Sequence, residues 1–293
     1  MKQFFIFIVK ILLLLVFIAL ALDFSYSSIF SKSTQRNKIE NVINSNAKDL
    51  DVVILGSSRA NNHFKTQLFL EEGIKAYNYG MSGSTLQESA LLLQLMLERK
   101  YAIKNVIVEV DLNLKSEGYS DGTRARFMPF LKSSETIATY YKARMPLSEF
   151  NLLHYAPFYR YIKYDSQIGF RELFFTAIAK PSKNNENFGF HALVGIGKNM
   201  KYDLTDDLPK KNKDYEFIKT LCSQNKIALI ALTTPICENV KNRAYFAAVK
   251  KLYPEIHNYE DVVTKSQYFS SCGHMNEAGA TIFTQHVIDD LFK

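Results

Sequence analysis

The chain has 293 residues, 13 % of them aromatic, no tryptophan and a formal net charge of +7. That length suits one α/β domain of moderate size with a generous core, and neither a fixed-period repeat nor a low-complexity tract suggests otherwise. The basic excess is scattered: its densest cluster, Lys210, Lys211 and Lys213, sits beside Asp206, Asp207 and Asp214, which describes a solvated loop and leaves no stripe for a nucleic acid.

From Phe4 to Leu22 every residue is apolar except Lys10, a run of about 19 residues and long enough to cross a bilayer as a helix. Lys10 lies off the centre and can extend its ammonium toward an interface. Residues 1–22 are expected to form an uncleaved transmembrane anchor. Ala19-Leu20-Ala21 offers a signal-peptidase site as the alternative, and a buried amino-terminal helix is the third reading. Lys32, Arg36 and Lys38 outnumber Lys2 near the span, so charge does not orient it, and export rests on the segment type. Residues 23–48 are polar and read as an irregular stalk.

A domain over 49–293 follows. Val52 to Leu55, in "VVILGSSR", is short, β-branched and without alternation, as a strand buried on both faces of a parallel sheet requires. A short strand from Lys75 to Tyr79 runs into "NYGMSGST", and Leu86 to Arg99 has helical spacing. Lys104 to Asp111, "KNVIVEVD", is a third buried strand. Residues 115–205 interrupt the pattern with an aromatic-rich insertion, read as helices packed on the sheet or as a lid or partner surface. Alternation then resumes with a helix over 213–224, a strand from Ile227 to Pro235, a helix from Glu238 to Lys251, and a last helix capped by Asn276. The economical architecture is an α/β fold with a three-layer, doubly wound parallel sheet.

Acyl transfer needs a nucleophilic hydroxyl, a base and donors for the oxyanion. Four fragments could supply them: Gly56-Ser57-Ser58, Gly80-Met81-Ser82-Gly83, the asparagine of "VIVEVDLN", and "CGHMNEAGA". Each is weak alone, yet all fall after strands or in terminal loops, where α/β sheets carry their chemistry. Cys222, Cys237 and Cys272 are too few for a disulfide framework and lack metal spacing, and no histidine pair has zinc spacing, so no metal or cofactor is indicated. Cys237 and Cys272 are both expected on the rim of the site, as two separate thiols rather than a bridge.

Taken together the fragments resemble the SGNH (GDSL-like) hydrolase family over roughly 50–114 and 213–293, excluding the insertion. The resemblance implies a flavodoxin-like fold with Ser58 as nucleophile and His274 as base. It also implies an oxyanion hole from Gly83, Asn113 and the Ser58 amide. Departures are Ser57 for the aspartate of the first block, Asp111 and Leu114 around Asn113, and Ser271 for the aspartate three residues before the histidine. Ser271 and Arg59 are accessory candidates. Arg59 either holds an anionic sugar or phosphate or pairs with a carboxylate. Ser57 and His63 read as turn-fixing residues. For the missing acid, three outcomes stand: a Ser-His dyad oriented by Ser271 or a backbone carbonyl, a substitute carboxylate such as Glu277 or Asp261, or loss of catalysis.

The implied function is that of a membrane-anchored, extracytoplasmic esterase or O-acyltransferase acting on acyl, chiefly acetyl, esters of an envelope glycan or a small ester. A membrane-bound O-acyltransferase is the partner that the resemblance suggests. The competing class is an inactive protein of the same fold that binds a glycan or that membrane partner.

Overall fold

The computed structural model describes residues 1–115, 117–183 and 185–293. They form two compact units, one from Met1–Asn44 with Arg124–Lys180 and the other from Ser45–Thr123 with Pro181–Lys293.

The larger unit is built on a parallel sheet of five strands: β1 (Asp49–Leu55), β2 (Ala76–Asn78), β3 (Ala102–Glu109), β4 (Ala228–Thr233) and β5 (His257–Asn258). Their spatial order is β2-β1-β3-β4-β5. Val52 to Leu55 and Val106 to Val108 are fully buried, which is why neither strand alternates in sequence. Because β2 and β3 flank β1 on opposite sides, the chain reverses direction across the sheet at β1. The loops leaving β1 and β3 therefore open a crevice at their carboxyl ends, the usual place for a ligand in such a sheet.

The helices begin where the sequence supplies caps. Thr85 and Glu88 form a capping box for Leu86–Glu98, Asn212 caps Lys213–Gln224, and the Asn276 side chain accepts from the Gly279 N–H to start Glu277–Leu291. Leu86–Glu98 packs on Lys213–Gln224, while Glu277–Leu291 packs on Ser58–His63 and Thr66–Glu71. The helix expected from Glu238 starts only at Ala244. Val240–Lys241 is instead extended and pairs with Tyr202–Asp203.

The smaller unit gathers the amino terminus and the central part of the insertion. Lys2–Phe30 is one helix, long and apolar enough to cross a membrane, with mean hydropathy 3.2 over its most apolar window. Residues 23–48 are not the irregular stalk that their polarity suggests: this helix runs on to Phe30, Lys38–Asn44 forms another, and Tyr26, Phe30, Ile39 and Val42 are buried. The reason lies far away in sequence. Asp23 is ion-paired to Lys132 (2.9 Å) and Arg160 (2.8 Å) and accepts from the Phe158 N–H at 3.1 Å, so residues of the insertion hold the long helix near its carboxyl end. Residues 181–205, expected within the insertion, belong to the larger unit.

Candidate active site

The chain leaves β1 through Gly56 at φ +143°, where a Cβ would stand 2.8 Å from Glu109 Cβ, so only glycine lets the turn pass β3. Ser57 then caps the short helix Ser58–His63. Its hydroxyl accepts from the Arg59 N–H at 3.2 Å and donates to Glu109 Oε2 at 2.6 Å. Ser58 is thus the first residue past the cap, with its side chain at the strand end.

His274 comes from the far end of the chain and meets it. Ser58 Oγ and His274 Nε2 are 2.8 Å apart, within the 3.5 Å expected of a nucleophile and its base. In the tautomer that leaves Nε2 free to accept, Nδ1–H donates to Ser271 Oγ at 3.1 Å. The two acids nearest in sequence do not reach the ring: Glu277 pairs with Lys65 (2.8 Å) and Asp261 with Arg243 (2.8 Å). Burial, followed by the charge of Arg59, pushes the His274 imidazole down to about 4. It is a neutral ring over the whole physiological range.

The loop that carries His274 is held by three ties. Cys237 and Cys272 form a disulfide, with Cα atoms 4.8 Å apart, and the Cys237 N–H donates to the Cys272 carbonyl at 3.1 Å. The expectation of two separate thiols is therefore corrected; spacing alone cannot show that β4 and the histidine loop end side by side. On the buried side, the Met275 N–H donates to His63 Nε2 at 3.1 Å. That places the His63 proton on Nδ1, which donates to Thr234 Oγ1 at 2.8 Å, and Thr234 donates to Asp111 Oδ2 at 2.7 Å. Every donor in this row points toward one carboxylate. Burial and the neighbouring Arg59 charge keep His63 neutral, as its acceptor role requires.

Arg59 lies in the same layer. It is buried and ion-paired with Asp111, and Nη2 donates to the carbonyls of Thr234 (2.9 Å) and Pro235 (2.8 Å). Of its two expected roles, the carboxylate pair is the one present. Among the described residues Nη1 has no hydrogen-bond partner, and it lies 3.7 Å from where a Cβ on Gly273 would stand. Glu109 is fully buried beside Asp111, and burial first, then the Asp111 charge, raises its carboxyl. Neither acid was expected to serve the site. The only sequence signal was a pair of acids, "EVD", ending an otherwise apolar strand.

Gly83 sits at φ +80° in a turn where the Ser84 N–H donates to the Met81 carbonyl. The Met81 N–H (3.0 Å) and the Ser84 hydroxyl (2.7 Å) both donate to the Gly56 carbonyl, which fastens this turn beside Ser57 and Ser58. Asn113 follows β3 in the 3-10 turn Asp111–Lys115, and its carbonyl accepts from Asn212 Nδ2 at 3.4 Å. Among the described residues, the N–H groups of Ser58 and Gly83 and the Asn113 side chain have no hydrogen-bond partner. Next to the histidine loop opens a cleft of about 840 Å³, lined among others by Met200, Tyr202, Asn239 and Lys241. Tyr202 joins the two, since its ring stands 3.7 Å from a Cβ position on Gly273.

No family model and no curated protein matches the chain. Among solved structures it is similar to a protein from Streptococcus pneumonia described as a "putative platelet activating factor", with 10 % identity, a TM-score of 0.39, and coverage of 97 % of this chain and 98 % of that one.

Proposed function

We propose that this chain is a membrane-anchored, extracytoplasmic serine esterase or O-acyltransferase of the SGNH type, acting on acyl esters of an envelope glycan. The observation that carries the proposal is the 2.8 Å contact between Ser58 Oγ and His274 Nε2 at the crevice of a parallel sheet. In this mechanism His274 takes the Ser58 proton as the hydroxyl oxygen attacks the acyl carbonyl. The unpartnered N–H groups of Ser58 and Gly83 and the Asn113 amide receive the oxyanion. As the tetrahedral adduct collapses, His274 returns the proton to the leaving hydroxyl and the acyl group stays on Ser58. Water or a sugar hydroxyl then takes it by the reverse route, which is the whole difference between hydrolase and transferase.

Ser271 replaces the family's aspartate, so the site works as a dyad whose imidazole is oriented by a hydroxyl. The 840 Å³ cleft is of ligand size and is assigned to the acceptor or glycan. A three-layer SGNH arrangement agrees with the five-strand order, and a disulfide beside the catalytic loop supports an oxidising compartment. The helix Lys2–Phe30 is read as the anchor.

A second reading has its own support. Among the described residues no carboxylate bonds the rear nitrogen of His274, and a buried guanidinium is close by, an environment that opposes imidazolium. An SGNH-fold protein that binds a glycan or a membrane O-acyltransferase without turnover fits that feature. Hydrolysis of p-nitrophenyl acetate by the purified chain separates the two. The proposed enzyme shows turnover that Ser58→Ala and His274→Ala each reduce by about 10³-fold or more, whereas a binding protein shows none above the buffer rate.

A further inference from the structure

We infer that the insertion helices between Leu147 and Ile178 form a foot that rests in the lipid headgroup layer beside the membrane helix. This inference rests on the reading of Lys2–Phe30 as a membrane span. The apolar run from Phe4 to Leu22 is about 28 Å long at 1.5 Å per residue, close to the thickness of the hydrocarbon core. Asp23 is the first charged residue after it and therefore stands where the helix leaves the hydrocarbon. Whatever binds Asp23 stands there too. Its partners are Lys132, Arg160 and the Phe158 N–H, and Arg160 Nη2 also reaches Ser27 Oγ, one turn further along the same helix, at 2.8 Å. Phe158 and Tyr161 add ring contacts to Tyr26. The segment around 158–161 is thus fixed at the level of the membrane surface by side chains and backbone alike.

What that segment exposes is apolar. Tyr155 and Ile162, a few residues either side of Phe158, are 69 % and 64 % exposed. On Phe170–Ala177 and its cap, Phe170, Phe174 and Ile178 recur at every fourth position and stand exposed, while Leu173 and Thr176 face the core. This helix packs against Lys2–Phe30, whose buried residues are Asp23, Tyr26 and Phe30, so the stripe belongs to the part of the unit that meets the long helix just past its apolar run. Arg171 and Lys180 flank it, each with its charge over the Phe175 ring. Aromatic and aliphatic side chains with cations at their edge are the composition of helices that lie in a headgroup layer. In water such a patch would be a liability; beside a bilayer it is a second attachment that also limits swivelling about the single span.

The chain has no tryptophan, so one substitution installs a unique fluorophore. Full-length Tyr155→Trp, Ile162→Trp and Phe170→Trp would be reconstituted in vesicles of phosphatidylcholine and phosphatidylglycerol carrying lipids brominated near the headgroup or deep in the chain, with Phe17→Trp as control. The three positions lie on separate helices, so misfolding at one leaves the others informative. The inference expects blue-shifted emission at the foot positions with quenching by the shallow bromolipid, and quenching of Phe17→Trp by the deep one. It is overturned if Phe17→Trp is quenched while the foot tryptophans emit as in water. A foot emission that is blue-shifted yet untouched by either bromolipid also overturns it, and points to a protein partner on this face. If Phe17→Trp is not quenched either, the membrane reading itself falls.

Discussion

His274 has exchanged most of its water for protein and lies near the Arg59 guanidinium, and both conditions disfavour imidazolium. A base that resists protonation is always in its active form, but it is weak when the proton has to be taken. The acid limb of kcat/KM is therefore expected near pH 4, well below the 6.5 of an ordinary histidine. Ser271→Asp tests the same balance from the other side. A carboxylate three residues before the ring would face Nδ1, now 3.1 Å from the serine hydroxyl, and would stabilise imidazolium. The esterase rate should rise by about 10- to 100-fold, remain dependent on Ser58, and the acid limb should move to higher pH. A pH–rate profile of the two proteins measures both effects together. The meeting of Ser58, His274 and Ser271 was legible in the sequence because each sits in a short fragment whose order and strand-end position carry meaning. Thr234 and Glu109 were not. Arg59 meets Thr234 across 175 positions, and nothing local says which way a strand-end acid will face.

At the level of elements, the end of β3 is where the fold concentrates buried charge. Asp111 is ion-paired with Arg59, whose charge also acts on Glu109, and among the described residues Glu109 Oε1 has no hydrogen-bond partner. The raised carboxyl of Glu109 means that the folded state holds this proton more tightly than the unfolded chain does. Its stabilising contribution is complete below the ordinary value of 4.5 and is lost as pH rises through the raised value. The Glu109 contribution is thus expected to fall with rising pH above 4.5, by up to about 1.4 kcal/mol per pH unit within the window. Glu109→Gln keeps an acceptor for the Ser57 N–H and should flatten that slope, as urea unfolding at several pH values would register. The strands themselves were readable from their unbroken β-branched runs. β5, only two residues long, carries no such pattern, and the late start of the helix at Ala244 depends on a pairing with Tyr202–Asp203 that sequence periodicity does not encode.

For the molecule as a whole, the proposed arrangement fixes which compartment each part occupies. On that proposal the long helix would cross the membrane, the sheet unit would lie outside, and the Cys237–Cys272 bridge would persist there. Closing a loop of 35 residues is worth about 4 kcal/mol in the chain-entropy model. Intact cells should therefore expose the sheet unit to added protease, the chain should stay in the membrane fraction through an alkaline wash, and reductant should lower the melting temperature and loosen the His274 loop. Protection of the sheet unit in intact cells would place it on the other side. The 23–48 segment shows the limit of compositional reading at this scale: its polarity suggests a tether, whereas residues 23–44 belong to a helical unit in which Asp23 pairs with Arg160, 137 positions away by their numbering.

The central claim is that the Ser58 hydroxyl becomes acylated. Mixing the purified chain with excess p-nitrophenyl acetate, quenching in acid within the first turnovers and mapping the digest by mass spectrometry tests it directly. One acetyl group on the peptide containing Ser58, absent from Ser58→Ala and strongly diminished in His274→Ala, is the predicted result. An unmodified Ser58 peptide accompanied by turnover that survives Ser58→Ala would contradict it.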